Sequence, residues 1–122
     1  MKTNESLRTA LDYFNAWRSK HFEDARKFLA DDAAFDMPIN TYQNTDQFMD
    51  AVMFTARTAT RVDLIAQFEN NDEALLLYEM ESPSIGLLTI AEHFKINNGK
   101  ITLVRHVHDT YGFRAAGLGA KE

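Results

Sequence analysis

The sequence predicts an α+β domain in which three N-terminal helices pack on a strongly curved antiparallel sheet. Three observations carry that prediction. Apolar residues recur at three- and four-residue steps as far as about residue 58, the spacing of helices with one buried face. From Thr60 the period changes to two, the spacing of strands. The helical and extended stretches are segregated along the chain, which separates α+β from alternating α/β order.

The first helix covers residues 4–18, where Leu7, Ala10, Leu11, Phe14 and Trp17 form one stripe with Tyr13 at its edge. A second covers about 22–30 through Phe22, Ala25, Phe28 and Leu29, and Asp31-Asp32 ends it. Ala33 to Met37 reads as a short extended segment closed by Pro38, followed by a polar loop at 40–45. Asn44 or Thr45 caps the third helix, which turns Phe48, Ala51, Val52 and Thr55 inward. Val62, Leu64, Ala66 and Phe68 then alternate with polar residues as a strand with one face in the core. Further strands run over 73–81, 86–96 and 100–110. They are joined at Ser82-Pro83-Ser84 and at Asn97-Asn98-Gly99, where Asn and Gly tolerate the positive φ of a hairpin turn. The expected domain is residues 1–112. The Gly- and Ala-rich residues 113–122 read as a flexible tail.

Composition sets the outer bounds. A chain of 122 residues with 45% hydrophobic content is one domain and buries enough surface to fold without a metal or disulfide staple. With no cysteine it has no thiolate metal site and no cysteine nucleophile. A net charge of −5 argues against nucleic acid as a partner, because phosphate contacts need a basic face. No apolar run approaches a membrane span, and the polar N-terminus lacks the apolar core of a signal peptide, so a cytoplasmic location with no membrane partner is expected. The central strands (Ala74–Leu77, Ile85–Leu88) are apolar on both faces, which predicts a homodimer through the outer sheet face.

No phosphate loop, nucleophile elbow or HExxH pattern occurs. The residues able to carry chemistry are His106 and His108, two apart and so on one face of a strand, with Glu92 on the neighbouring strand. Two histidines on one face suit a general acid–base pair, and a carboxylate can hold one imidazole in a chosen tautomer. The same three residues resemble a metal-binding set in type, but HxH is a common pattern and no metal site is assigned. Tyr13 and Trp17 stack four apart on the first helix, and Tyr13 can donate to a substrate oxygen. Met37, Met49 and Met53 read most simply as core filler.

Phe28-Leu29-Ala30-Asp31-Asp32-Ala33, Phe35-Asp36-Met37-Pro38, the helix from Thr45 and the strand opening Asn98-Gly99-Lys100-Ile101 together resemble the nuclear-transport-factor-two-like superfamily, in its SnoaL-like and ketosteroid-isomerase-like branch. The resemblance spans roughly residues 5–111. It implies a cone-shaped α+β barrel whose open end leads to an apolar pocket. It places the isomerases' oxyanion-hole tyrosine on Tyr13 and their second oxyanion donor on Glu92. It places their general base on Met37, which cannot take a proton. Val104, His106 and His108 take the pocket-facing positions of the last strand, and the base of SnoaL-like cyclases falls near His106. Trp17, Phe35, Met37, Phe94 and Val104 are the implied apolar walls.

The hairpin register decides which groups share the pocket. A three-residue loop at Asn97–Gly99 pairs Glu92 with Val104 and puts Glu92, His106 and His108 on one face. A two-residue turn pairs Glu92 with Arg105, and the pocket then holds Glu92, Arg105 and Asp109, a set reminiscent of the limonene epoxide hydrolases. The family resemblance favours the histidines. The expected function is binding of a small, mostly apolar carbonyl- or hydroxyl-bearing molecule. Proton-transfer chemistry (isomerisation or cyclisation) would need no cofactor. The alternatives are a non-catalytic ligand-binding or dimerisation module, and an epoxide-hydrolase-like activity.

Overall fold

The computed structural model describes residues 5–117. The chain order is α1 (Glu5–Arg18), α2 (Phe22–Lys27), β1 (Leu29–Asp36), α3 (Thr45–Thr58), β2 (Arg61–Asn70), β3 (Glu73–Ser82), β4 (Gly86–Asn97), β5 (Lys100–Val107) and α4 (Tyr111–Ala115). The fold is the expected α+β arrangement of helices on a curved sheet. The five strands lie in the order β1-β5-β4-β3-β2.

Three expectations change. The second helix stops at Lys27, because Leu29 starts β1 and is buried there. β1 pairs parallel with β5, so the sheet is mixed rather than wholly antiparallel. Residues 111–115 form a helix where a tail was expected from 113, and Phe113 packs against the core; residues 118–122 of that segment lie outside the described residues.

The core fills the space between the concave sheet face and the helices. From α1 come Ala10, Tyr13, Phe14 and Trp17, with Tyr13 at the centre of the buried face rather than its edge. Phe14 packs edge-on to Trp17 at 5.4 Å and meets Tyr78 of β3 at 4.8 Å. Burying side chains of this size stabilises the fold by roughly 1.5–3 kcal/mol each. α3 starts at the cap Asn44, whose side chain accepts from the Gln47 amide at 2.9 Å. The Thr45 hydroxyl donates to the Ala30 carbonyl at 2.7 Å, tying α3 to β1. This brings Phe35 of β1 face to face with Phe48 of α3 at 4.4 Å.

Two bulges decide which side chains face the core. In β2, Leu64 pairs with Tyr78 but Ala66 pairs with Leu77, leaving Ile65 as an extra residue. Val62 and Leu64 therefore face inward as expected, while Ala66 and Phe68 are turned to the outer face; Phe68 is 58% exposed. In β5, Ile101 pairs with Ile96 and Leu103 with Lys95, so Thr102 is the extra residue.

Candidate active site

The β4–β5 hairpin turns through Asn98 and Gly99, both at positive φ (54° and 75°), with Asn97 paired to Lys100. This is a two-residue turn, not the three-residue loop tied above to the histidine register. The bulge at Thr102 then shifts the pairing by one, so that Glu92 lies opposite His106. Turn and bulge together restore the face that the two-residue turn alone would have reversed.

The epoxide-hydrolase-like set is not assembled. Arg105 stands on the outer face, where its Nε donates to Asp36 at 2.8 Å and its guanidinium meets Nδ1 of His93 at 3.1 Å. His93 in turn contacts Glu73 at 2.7 Å. An arginine can only donate, so Nδ1 of His93 accepts and Nε2 carries the hydrogen toward Glu73. Asp109 is also outside the pocket, its carboxylate accepting from the Tyr111 amide at 3.0 Å.

On the concave side lies a cavity of about 260 Å³. α1 contributes Tyr13 and Trp17, and the segment after β1 contributes Met37 to Asn40. Phe48 and Val52 come from α3, and Tyr78, Met80, Leu88 and Ile90 from the central strands. Glu92, His106 and His108 complete a polar stripe on one wall, and Phe113 of α4 closes the list. Six of the sequence candidates thus meet at one cavity: Tyr13, Trp17, Met37, Glu92, His106 and His108. Phe35, Phe94 and Val104 do not line it. Phe94 and Val104 pair across β4 and β5 in the fully buried core, where Phe94 meets the Tyr13 ring edge-on at 5.8 Å. Phe35 is spent on the stack against Phe48. Tyr78 joins the wall through the inward alternation Ala74, Leu76, Tyr78, Met80. Phe113 lay in the segment read as tail.

The polar stripe has a definite order. Glu92 is 1% exposed, and its Oε2 contacts Nε2 of His106 at 2.8 Å. A carboxylate accepts, so Nε2 carries the hydrogen, and in the neutral imidazole the other ring nitrogen, Nδ1, carries the lone pair. The hydroxyl of Tyr13 is buried without a hydrogen-bond partner, whereas Glu92 also takes a side-chain hydrogen bond from Tyr78. Burial, reinforced by the negative charge of Glu92, raises the Tyr13 hydroxyl well above its usual pKa. Burial first, then the charges of Glu92 and Tyr13 and a side-chain hydrogen bond to Glu92, raise Tyr78 in the same way, so both phenols stay protonated. His108 donates from Nδ1 to the carbonyl of Asp109 at 2.9 Å, which leaves Nε2 as an acceptor. Burial, and to a lesser degree the neighbouring His106, lowers the His108 pKa below 6.5, so it is a neutral base near pH 7. Among the described residues no three His, Cys, Asp or Glu side chains are grouped to hold a metal ion. No described helix is long and apolar enough to cross a membrane.

Helices over a curved sheet, with a largely apolar cavity floored by a buried carboxylate–histidine pair, define a pocket protein of the cone-shaped α+β class. Comparison with known proteins agrees. The chain belongs to the SnoaL-like domain family, whose model matches residues 10–104. No curated protein matches the sequence. Among solved structures, one from Kribbella flavida DSM 17836 is 26% identical, covering 94% of this chain and 95% of that one at a TM-score of 0.87. An epoxide hydrolase of the LEH-like type from M. tuberculosis is 16% identical (95% and 91% covered, TM-score 0.76). A protein of ketosteroid isomerase-like fold from Catenulispora acidiphila DSM 44928, in complex with trimethylamine, is 12% identical (90% and 92% covered, TM-score 0.68). The latter two likenesses establish the fold alone.

Proposed function

We propose that the cavity binds a small, mostly apolar molecule bearing a carbonyl or hydroxyl group and, where that group is a carbonyl, removes a proton from the carbon next to it. One observation carries the reading: a buried carboxylate holds His106 at 2.8 Å while the fully buried hydroxyl of Tyr13 has no partner within the protein. Buried polar groups are nearly always satisfied, and leaving one unpaired costs roughly 1–3 kcal/mol. A ligand oxygen is the natural partner. A cavity of about 150 Å³ takes up benzene, so about 260 Å³ suits a substituted single ring.

In this reading Tyr13 donates to the substrate oxygen. The lone pair on Nδ1 of His106 takes the hydrogen from the adjacent carbon, and the C–H electron pair moves into the enolate, whose oxygen charge Tyr13 stabilises. Glu92 stabilises the imidazolium that forms. In a substrate with a double bond between the β and γ carbons, return of the proton to the γ-carbon completes an isomerisation. His108, with Nε2 available, assists the transfer. Trp17 and Met37 shape the wall, and no cofactor takes part.

The test is exchange of the α-hydrogens of cyclohexanone and 4-ethylcyclohexanone in D2O, followed by proton NMR. The protein accelerates exchange, and His106→Ala and Glu92→Gln each lower the rate by about 10²–10⁴-fold, the usual worth of a positioned acid or base. Exchange at the buffer rate with binding retained would refute catalysis and leave a ligand-binding module.

We also propose a homodimer through the outer sheet face. Phe68, Leu87 and Val107 are 58%, 56% and 61% exposed, with Leu75 and Leu77 between them on the same side of the sheet. Both signs of charge flank this stripe, Arg61 with Glu79 and Glu81 at one end and Arg105 with Asp36 at the other, as a two-fold contact between identical surfaces requires. Sedimentation of the protein and of Leu77→Lys decides it: the substitution turns dimer into monomer. A wild-type monomer refutes the proposal.

A further inference from the structure

α4 is a helix of five residues with none of them buried, yet its Phe113 lines the cavity. Two neighbouring residues hold it there. Gly112 lies so close to the β3–β4 turn that a Cβ would stand 3.1 Å from both the carbonyl oxygen and Cγ2 of Ile85. Phe113 reaches inward, packs against the core and lies over the His108 ring at 5.1 Å with the planes 33° apart. The rest of the helix faces water, with Tyr111 74% exposed. His108 is joined to the same unit, since its Nδ1 donates to the carbonyl of Asp109 and the Asp109 carboxylate accepts from the first amide of α4.

The wall therefore runs in sequence from the Glu92–His106 pair, through His108 at a ring separation of 6.5 Å, to Phe113 a further 5.1 Å on. A ligand anchored by its oxygen at Tyr13 extends its apolar end along this wall and meets the Phe113 ring. We propose that Phe113 is the residue that sets ligand length in this pocket and positions His108 beside it, with Gly112 as the contact that keys α4 in place. The inference rests on the ligand reading above.

Several consequences fit one cause. The Phe113 ring covers the His108 imidazole, and this cover is part of the burial that holds His108 below its ordinary pKa. A benzene-sized group removed from the end of a cavity of about 260 Å³ lengthens it by a large fraction. Glycine at 112 is favoured by space rather than by φ: a Cβ there would stand 3.1 Å from the Ile85 carbonyl oxygen, so the β3–β4 turn or α4 must give by a few tenths of an ångström.

The probes are 4-alkylcyclohexanols from methyl to hexyl, with binding read by Trp17, the chain's single tryptophan and a cavity-wall residue. In the wild-type protein affinity rises by about fourfold for each added methylene, the worth of its burial, and then stops rising at the length that meets Phe113. In Phe113→Ala the stop moves out by two or more methylenes, and Phe113→Leu, which keeps an apolar plug and protects the fold, falls between. Gly112→Ala displaces α4 and follows Phe113→Ala. The His108 imidazole, titrated by NMR without any ligand, moves up toward 6.5 in Phe113→Ala, a change that loss of generic packing elsewhere does not produce. An unchanged stop, or an unmoved His108, overturns the role of Phe113 while leaving the pocket reading intact. No binding of any probe to the wild-type protein overturns the pocket reading and this inference with it.

Discussion

Replacing Tyr13 by phenylalanine removes a single oxygen and separates stability from function in opposite directions. The Tyr13 side chain is fully buried and its hydroxyl has no hydrogen-bond partner. In the unfolded chain that hydroxyl is hydrated, so folding desolvates it without return, at a cost of roughly 1–3 kcal/mol. The phenyl body, with its edge contact to Phe94, is unchanged in Tyr13→Phe. Only one oxygen is removed, so the new void is small. A net gain of about 1 kcal/mol follows. For a chain of 122 residues, with an unfolding entropy of about 2.1 cal/mol/K per residue, this raises the melting temperature by about 4 °C. The same substitution deletes the donor to the substrate oxygen and lowers the α-hydrogen exchange rate by about 10²–10³-fold, as removal of one oxyanion donor does. Calorimetric melting and the NMR exchange assay on one preparation give both numbers. A Tyr13→Phe protein that melts lower than the wild type would show that the hydroxyl is satisfied in the folded chain, and the argument for a ligand oxygen at that point would fail.

Three further outcomes follow from the geometry. Burial lowers the His108 pKa below the 6.5 it has when unfolded, so as pH falls through 6.5 the unfolded chain takes up a proton that the folded chain refuses. The denaturation midpoint therefore declines between pH 7.5 and 5.5, and His108→Asn flattens the decline; equal declines in both proteins refute the assignment. Gly99→Ala costs about 1–2 kcal/mol, from its positive φ alone since no atom lies within 4 Å of an added Cβ, and a urea midpoint equal to the wild type's contradicts the turn geometry. Asn44→Ala costs about 1 kcal/mol by removing the cap on the Gln47 amide, and a smaller helical signal by circular dichroism accompanies the loss.

The fold was legible because long periodic segments speak with many residues. The α1 stripe rests on five positions and β3 and β4 on apolar runs between clear turns, and their bounds agree with the structure to within a few residues. The site was legible in its types but not in its reason. Glu92, His106 and His108 do share a face, yet through a two-residue turn corrected by a bulge, and no local property of Thr102 announces an extra residue. Ile65 hides the second bulge in the same way, since Ala66 and Phe68 look as inward as Val62 and Leu64 until the pairing partners are known. Phe35, Phe94 and Val104 were assigned to the wall from their place in the chain. Depth in a cone depends on which helix covers a strand, and that is a tertiary fact. Phe113 was missed because a Gly- and Ala-containing end reads as loose, whereas one aromatic ring and one close glycine contact are enough to dock it.

The bulge at Thr102 also makes β5 a strand in which length and identity are read at different places. Leu103 to Val107 keep their partners and their faces if Thr102 is deleted, because the bulge is the surplus that deletion removes. An inserted residue at the same point leaves them in place too, as a wider bulge. The same change at Arg105 takes His106 off Glu92, and at Val107 it moves His108 and the approach to α4 relative to the His106–Glu92 pair. An alignment of relatives that treats β5 as an uninterrupted strand will therefore set Arg105 against Glu92 and read an arginine into a pocket that holds a histidine. The correct comparison anchors on the residues after the bulge and lets the gap fall at Thr102.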